Sequence, residues 1–399
     1  MIGAREDDSD AITRDVTAPA NSPTNSLPSR RWRRLRLLQY PIAIALCSTV
    51  ITFVFGFCAY LVIENAMPAE GWLGIWNRWD SIHYLNVAQF GYGGEASGEQ
   101  RLMIVFLPLY PLAIYLAHFL IPNWHVAAVV VSNLCCAGAF TYCFLLTEKE
   151  YGRRAAKVAV FYFSIFPTAY FLHIAYSESL FLVLTIGAFY YARQGRWFWC
   201  ALLGMLATGS RISGLAIILP LAFEYFQQKH FHWREIRWDC ALLFLIPLGF
   251  LSYLYLNYSY FGDPLKFLQV QQEHWYRSFS SPFPAVLLSW RDITRDVPVE
   301  RVMQHGSLLA AFAIGTIGLV VARFRLRPCY TIYLAVSWVL IFCDSFTVCS
   351  PRYLLTLFPF FMLLGQWRRW AWVHYSVTFS CILFYALNVT QFVRGWWAH

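Results

Sequence analysis

The sequence predicts an all-α fold: a polytopic membrane helix bundle of about 10–12 transmembrane helices, with an interfacial helix in the first outer loop. Three observations carry this. Of 399 residues, 58% are hydrophobic and only 13% are charged, where a soluble domain carries about 25% charged residues. Aromatics reach 19%, and many sit at the ends of apolar runs, where amphipathic rings suit the headgroup zone. The formal charge of +9 is carried by short loops between apolar runs, which is the positive-inside pattern. Nucleic-acid binding needs a basic stripe on one soluble face. That is missing here, so no nucleic acid is expected as a partner and the lipid bilayer is.

The elements follow in order. The first 29 residues are rich in Ser, Thr, Pro, Asn and Asp and cannot bury enough apolar surface to offset ordering. Residues 1–36 are therefore expected to be a disordered cytoplasmic tail. It ends in Arg30, Arg31, Arg33, Arg34 and Arg36, which should hold the N-terminus inside. No apolar core follows a short basic start, so a signal peptide is not expected. Residues 37–392 form the membrane domain. A bilayer core takes about 20 apolar residues per helix, fewer where a helix is buried among others. Candidate spans are 37–63, 102–121, 124–147, 156–175, 178–193, 197–210, 212–226, 240–261, 306–322, 329–347, 352–366 and 370–391. No internal repeat of the kind that builds transporter halves is visible. Nearly all eleven cysteines lie in apolar runs without metal-ligand spacing, and read as small buried hydrophobes.

Two polar segments, 64–101 and 262–305, are too long for tight turns, and both are expected to be outer loops. Basic loops at Arg193–Arg196, Lys229–Arg237, Arg323–Arg327 and Arg368–Arg369 then face the cytoplasm. One conflict remains. Lys149, Arg153 and Arg154 also favour the cytoplasm, yet two full crossings between 102 and 147 would put them outside. Either one of those runs does not cross or this loop breaks the charge rule.

The first outer loop carries Trp72, Trp76, Asn77, Arg78, Trp79, Asp80, Ser81, His83 and Tyr84. If 72–90 is one helix, Trp76, Asp80, His83, Tyr84 and Val87 share a face, with Trp72, Ile75 and Trp79 as a neighbouring apolar stripe. That suits a helix lying along the membrane surface, polar groups toward a cleft. An aromatic anchor with incidental charges fits the same pattern.

The run Arg78-Trp79-Asp80-Ser81-Ile82-His83-Tyr84, followed by Gly91-Tyr92, resembles the signature of the second mannosyltransferase of GPI-anchor synthesis, the PIG-V type, and its bacterial relatives. Further matches come in order: Val105-Phe106-Leu107-Pro108-Leu109-Tyr110-Pro111, Phe166-Pro167-Thr168-Ala169-Tyr170-Phe171, Tyr176-Ser177-Glu178-Ser179-Leu180-Phe181, Ser210-Arg211-Ile212-Ser213-Gly214, Gly262-Asp263-Pro264-Leu265 and Ser350-Pro351-Arg352-Tyr353. Ile212 and Ser213 depart from the Pro-Thr usual after the arginine, and Ser177 stands where Thr is common. The resemblance implies a GT-C fold, an acidic residue in the first outer loop and a polyprenyl-phosphate sugar as donor, usually of mannose. The short chain resembles the bacterial relatives. This implies the inner (cytoplasmic) membrane with an active site on the periplasmic side, and a glycan, glycolipid or protein acceptor.

A lipid-phosphate donor holds its reactive carbon just above the bilayer, so a catalytic carboxylate belongs on an outer loop, where Asp80 is expected. Asp80 is the candidate general base for an inverting displacement. Arg211 and Arg352, at the outer ends of apolar spans, are candidates for the leaving phosphate; snorkelling or pairing with Glu178 is the plainer alternative. Glu178 would position Arg211, bind a sugar hydroxyl or cap a helix. His83 would contact the phosphate or orient Asp80, and Arg78 would contact phosphate or anchor the loop. Tyr84 and Tyr353 join the substrate-binding candidates. His173 reads as a packed histidine. In the second outer segment Gln271, Gln272, His274, Trp275 and Arg277 offer stacking and hydrogen bonds for an acceptor sugar, or build a structured loop. No clustered Asp/His ligand set appears, so no metal and no cofactor is expected. The main rival reading is a lipid or glycolipid flippase, which intramembrane Arg and Glu also fit; another membrane transferase, such as an acyltransferase, is the second.

Overall fold

The computed structural model describes residues 30–93, 98–295, 299–367 and 371–398, and the expected disordered stretch 1–29 lies outside them. The chain divides into Met1–Leu37 and Leu38–His399, and the helix bundle is the second of these units. The first helix, α1, spans Arg30–Glu64; residues 30–36, assigned to the tail from sequence, are therefore helical.

After α1 come two short helices, α2 (Gly71–Gly74) and α3 (Asp80–Phe90), where one helix over 72–90 is expected from sequence. The break lies at Trp79, whose φ of 53° and ψ of −123° leave the helical region. Trp76 is consequently not on the Asp80 face. It is fully buried, edge-on to Phe53 of α1 and stacked on Phe392 near the C-terminus.

Next are α4 (Leu109–His118), α5 (Trp124–Tyr151), α6 (Arg153–Ile165), α7 (Glu178–Ala192), α8 (Trp197–Ser210), α9 (Ile218–Gln228) and α10 (Leu248–Phe261). They are followed by α11 (Lys266–Trp275), α12 (Pro282–Ile293), α13 (Val299–Arg325), α14 (Pro328–Phe342), α15 (Ser350–Leu354), α16 (Pro359–Gln366) and α17 (Ala371–Val393). Among the described residues five helical stretches are long and apolar enough to cross a membrane: Leu38–Glu64, Trp124–Tyr151, Trp238–Phe261, Arg301–Arg325 and Ala371–Val393. Thr347–Leu354 and Pro359–Gln366, bent by 55°, make a sixth if they are one broken span. α4, α7, α8 and α14 are apolar but shorter. The chain is a multi-pass integral membrane protein, but fewer of its apolar runs are full-length helices than the sequence suggests.

The run 102–121 is one that falls short. Its apolar residues divide between a 3₁₀ stretch, Gly98–Val105, and the ten-residue α4, about 15 Å long against a hydrocarbon core of about 30 Å. That leaves α5 as the full-length helix between the first polar segment and the Lys149–Arg154 loop. Lys149 donates to the Arg193 carbonyl at 2.6 Å. Arg193 in turn pairs with Glu150 and with the buried Glu224, both at 2.6 Å. The conflicting loop thus sits with the other basic loops, at the end of α7 away from Glu178.

α7 is the axis of the bundle. Beyond its first turn its residues are mostly apolar, and Phe181, Leu182, Ile186, Ala188, Phe189 and Ala192 are all fully buried. This is the pattern of an interior helix. It packs on α5 and α8. α8 and α10 meet through Gly209 and Gly249, where a Cβ on Gly249 would collide with the Met205 carbonyl and Thr208. Small residues let helix backbones approach inside a membrane, and here the approach lets Thr208 Oγ1 donate to the Ile246 carbonyl at 2.6 Å.

Candidate functional site

Several helices end at one level of the bundle, and each end delivers a charged side chain. α3 starts at Asp80, α7 starts at Glu178, α8 stops one residue before Arg211, and α15 carries Arg352. Asp80 is the first residue of its helix, where a carboxylate is favoured by the exposed N–H groups. The Asn77 side-chain oxygen, just before the break, accepts from Ser81 Oγ at 2.9 Å.

The four charges form a chain. Arg352 Nη1 lies 2.8 Å from Asp80 Oδ2, and its Nε lies 3.4 Å from Glu178 Oε1. Arg211 Nη1 contacts the same Glu178 oxygen at 2.8 Å and donates to Ser177 Oγ at 2.9 Å. Ser177 Oγ is 2.8 Å from the Tyr84 hydroxyl. The Glu178 side chain is 0% exposed and that of Asp80 is 24% exposed, so of these two Asp80 is the carboxylate within reach of an incoming molecule.

A third arginine arrives from the second polar segment. After α11 the chain turns through Tyr276, whose φ is 52°, and Phe279 makes an antiparallel bridge with Asp344, just beyond α14. The bridge brings Arg277 Nε to 2.8 Å from Asp344 Oδ2, and Arg277 Nη1 to 3.2 Å from the Tyr353 hydroxyl. Burial works against the Arg277 charge, but Tyr353 and Asp344 outweigh it and hold the guanidinium above its ordinary range. Tyr353 is the common centre: its ring lies 5.3–5.7 Å from the guanidinium carbons of Arg352, Arg211 and Arg277, within cation–π range.

These groups surround a cavity of about 470 Å³, within the range of small-molecule sites. Asp80, His83 and Tyr84 line it together with Arg211, Arg277, Arg352 and Tyr353. Val105, Phe106, Leu107, Leu340 and Ile341 supply an apolar stretch of wall, and Gln271, His274 and Trp275 of α11 supply polar and aromatic groups. His83 also packs on Phe106, with ring centroids 5.1 Å apart.

Six of the eight sequence candidates, Asp80, His83, Tyr84, Arg211, Arg352 and Tyr353, therefore line one cavity, and two do not. Arg78 does not line the cavity; its carbonyl accepts from the Tyr176 hydroxyl at 3.1 Å, because the break at Trp79 turns it away. Glu178 does not line it either. Its carboxylate pairs with Arg211 and Arg352. His173 is buried with Nδ1 2.8 Å from Asn133 Oδ1, a packed histidine as expected. Sequence reasoning missed Asp344, Trp79 as a lining residue, and Trp397. Asp344 had a signal: it is a lone carboxylate at the end of the apolar run 329–343. Among the described residues no group of three or more His, Cys, Asp or Glu stands ready for a metal ion.

The family described as Mannosyltransferase (PIG-V) matches residues 57–282, more than half of the chain. GPI alpha-1,6-mannosyltransferase 2 of Cricetulus griseus is 31% identical over 160 residues, covering 37% of this chain and 31% of that protein. The Mus musculus protein of the same name is 31% identical over 161 residues, with the same coverage. The chain thus spans about a third of the length of the curated relatives it matches. Among solved structures, ArnT from Cupriavidus metallidurans in the apo state is similar with a TM-score of 0.47 and 16% identity, over 84% of this chain and 61% of that one. The Archaeoglobus fulgidus oligosaccharyltransferase is similar with a TM-score of 0.42 and 12% identity, over 89% and 56%.

Proposed function

The chain belongs to the mannosyltransferase (PIG-V) family, and on that footing we propose that it is a membrane glycosyltransferase moving mannose from a polyprenyl phosphate to an acceptor hydroxyl. The observation that carries the reading is a part-exposed carboxylate, Asp80, paired with Arg352 on the wall of a cavity that Arg211 and Arg277 also line. The apolar stretch from Val105 to Leu107 and at Leu340 and Ile341 beside those cations suits a lipid phosphate better than a nucleotide.

The acceptor hydroxyl attacks the anomeric carbon while its proton passes to Asp80. Arg352 holds Oδ2, which leaves Oδ1 as the receiving oxygen. The bond from the anomeric carbon to the phosphate oxygen breaks and its electron pair leaves with the polyprenyl phosphate. Fixed guanidinium groups in a site shielded from water stabilise the developing charge, and Arg277 and Arg352 offer paired N–H groups to phosphate oxygens. Attack opposite the leaving group inverts the anomeric centre. The proton transfer contributes roughly 10²–10⁴-fold, and the arginines take the electrostatic part, so the step requires no metal. With the basic Lys149–Arg154 and Arg193 cluster in the cytoplasm, the site faces the non-cytoplasmic side, which in a bacterium is the periplasm. The acceptor is a glycan, a glycolipid or a protein.

The test is turnover by purified protein given polyprenyl-phosphate mannose or glucose, with product mass and anomeric configuration as readouts. Asp80→Asn should cut transfer at least about 10²-fold while donor affinity stays within a fewfold. Transport of the lipid-linked sugar without any transfer would replace this reading with a flippase.

A further inference from the structure

Beside the main cavity lies a second, smaller one of about 250 Å³, walled by Trp79, Gln304, Gln391, Gly395, Trp396 and Trp397. Trp79 and Trp397 line both cavities. Their rings meet edge to face at 4.6 Å and form the partition between the two. We propose that this second cavity binds one pyranose residue of the acceptor and presents its hydroxyl across the partition to Asp80. The proposal rests on the transfer reading above and names the chemistry of the acceptor's reacting end.

The wall chemistry argues for a sugar. A pyranose has a flat apolar face of C–H groups and a rim of hydroxyls. Indole rings cover the face, and amide side chains, which both donate and accept, satisfy the rim. Among the described residues, three indoles and two amides line this wall, and none of its lining side chains is charged. The Gln391 amide nitrogen is turned to Met303 Sδ at 2.9 Å, which leaves its carbonyl oxygen as an acceptor for a hydroxyl. The cavity falls just under the roughly 300 Å³ at which sites for larger ligands begin, so it suits a single ring.

The wall is also held in place. Gly395, at a φ of 81°, folds the chain back after α17, and the Trp396 amide donates to the Gln391 carbonyl at 3.0 Å. Arg394 pairs with Glu64 at 2.6 Å and its guanidinium carbon lies 4.7 Å from the Trp396 ring. The Ala398 carbonyl accepts from the Tyr170 hydroxyl at 3.0 Å. Trp79 reaches the partition only through its positive φ, a conformation that costs a bulky residue energy and persists where the surroundings impose it. Asp80 is the next residue, so the same break that sets the indole sets the carboxylate.

The experiment uses the full chain in lipid nanodiscs and methyl α-mannoside as the probe, titrated by saturation-transfer NMR, with methyl α-glucoside alongside. Saturable binding is expected. Gln304→Leu should weaken it about tenfold, as expected when a hydroxyl loses its hydrogen-bond partner. Trp396→Ala should weaken it by a similar factor and Trp396→Phe, which keeps a ring, by less than about threefold. Affinity for polyprenyl-phosphate mannose should stay within about twofold in all three variants. Gln304 is on α13 and partly solvated, so its variant keeps the test open if Trp396→Ala misfolds. No saturable binding of either glycoside by the unaltered protein, or binding unchanged in both Gln304→Leu and Trp396→Ala, overturns the pocket. Transfer that proceeds with unaltered acceptor KM in both variants removes the pocket and leaves the transfer reading. Variant-sensitive sugar binding without any transfer does the reverse.

Discussion

Neutralising Glu178 tests the charged chain at its centre. The Glu178→Gln variant keeps the shape of the side chain but removes the charge that faces Arg211 at 2.8 Å and Arg352 at 3.4 Å. The carboxylate is 0% exposed and the two arginines are 14% and 8% exposed, so water screens the loss poorly. Removing one partner of a buried pair costs about 3–5 kcal/mol. Glutamine still offers a carbonyl to one guanidinium, which places the change near the lower end, about 3 kcal/mol, or roughly a 10²-fold shift in the unfolding equilibrium. The assay is reversible unfolding of the detergent-solubilised protein in graded sodium dodecyl sulfate, run on Glu178→Gln, Arg211→Met and the double variant. If the pair acts as described, the double variant recovers about 1–3 kcal/mol relative to the sum of the singles. Strict additivity would refute the coupling, and with it the placement of Glu178 as the residue that holds the arginines.

Other substitutions probe the remaining parts. Arg277→Lys keeps the charge but loses the planar fork that meets Asp344 and Tyr353; donor KM should rise about tenfold with a smaller change in kcat, measured by steady-state transfer kinetics. Gly249→Ala forces a Cβ against the Met205 carbonyl and should destabilise the protein by about 1–3 kcal/mol, seen as a lower thermal midpoint with unchanged acceptor KM. Arg193→Met leaves Glu224, fully buried, with the neutral Gln228 amide at 2.7 Å and, as a cation, the more distant Arg327 at 3.8 Å. Stability should fall by about 3 kcal/mol in the detergent titration, while donor affinity holds because this cluster sits at the far end of α7.

Much of this was readable in advance, for physical reasons particular to each residue. Asp80, Glu178, Arg211 and Arg352 stand out because ionisable groups at the ends of apolar runs are costly unless used, and the structure gathers all four. The helices α5, α13 and α17 were visible as long apolar runs. The break at Trp79 was not, since a positive φ on a bulky aromatic runs against local preference and the spacing from 72 to 90 fits an unbroken helix equally well. That single misreading also misplaced Trp76. The shortness of α4 escaped because apolar content does not separate a crossing helix from a 3₁₀ stretch and a helical stub. Asp344 was passed over because its partner Arg277 lies 67 residues away and only the bridge at Phe279 brings them together. Trp397 follows the last span, where no periodicity points inward.

The arginines of the main cavity come with their own counterions. Arg211, Arg277 and Arg352 are matched by Glu178, Asp344 and Asp80, and these formal charges cancel. A ligand more than a Debye length away, about 8 Å at physiological ionic strength, therefore feels little pull from this ensemble. On the proposed reading, a lipid phosphate would gain its grip only on arrival, at close range to the arginines. In the proposed reaction the Asp80–Arg352 pair stays in place, so the guanidinium that anchors the base at Oδ2 also stands beside the leaving phosphate.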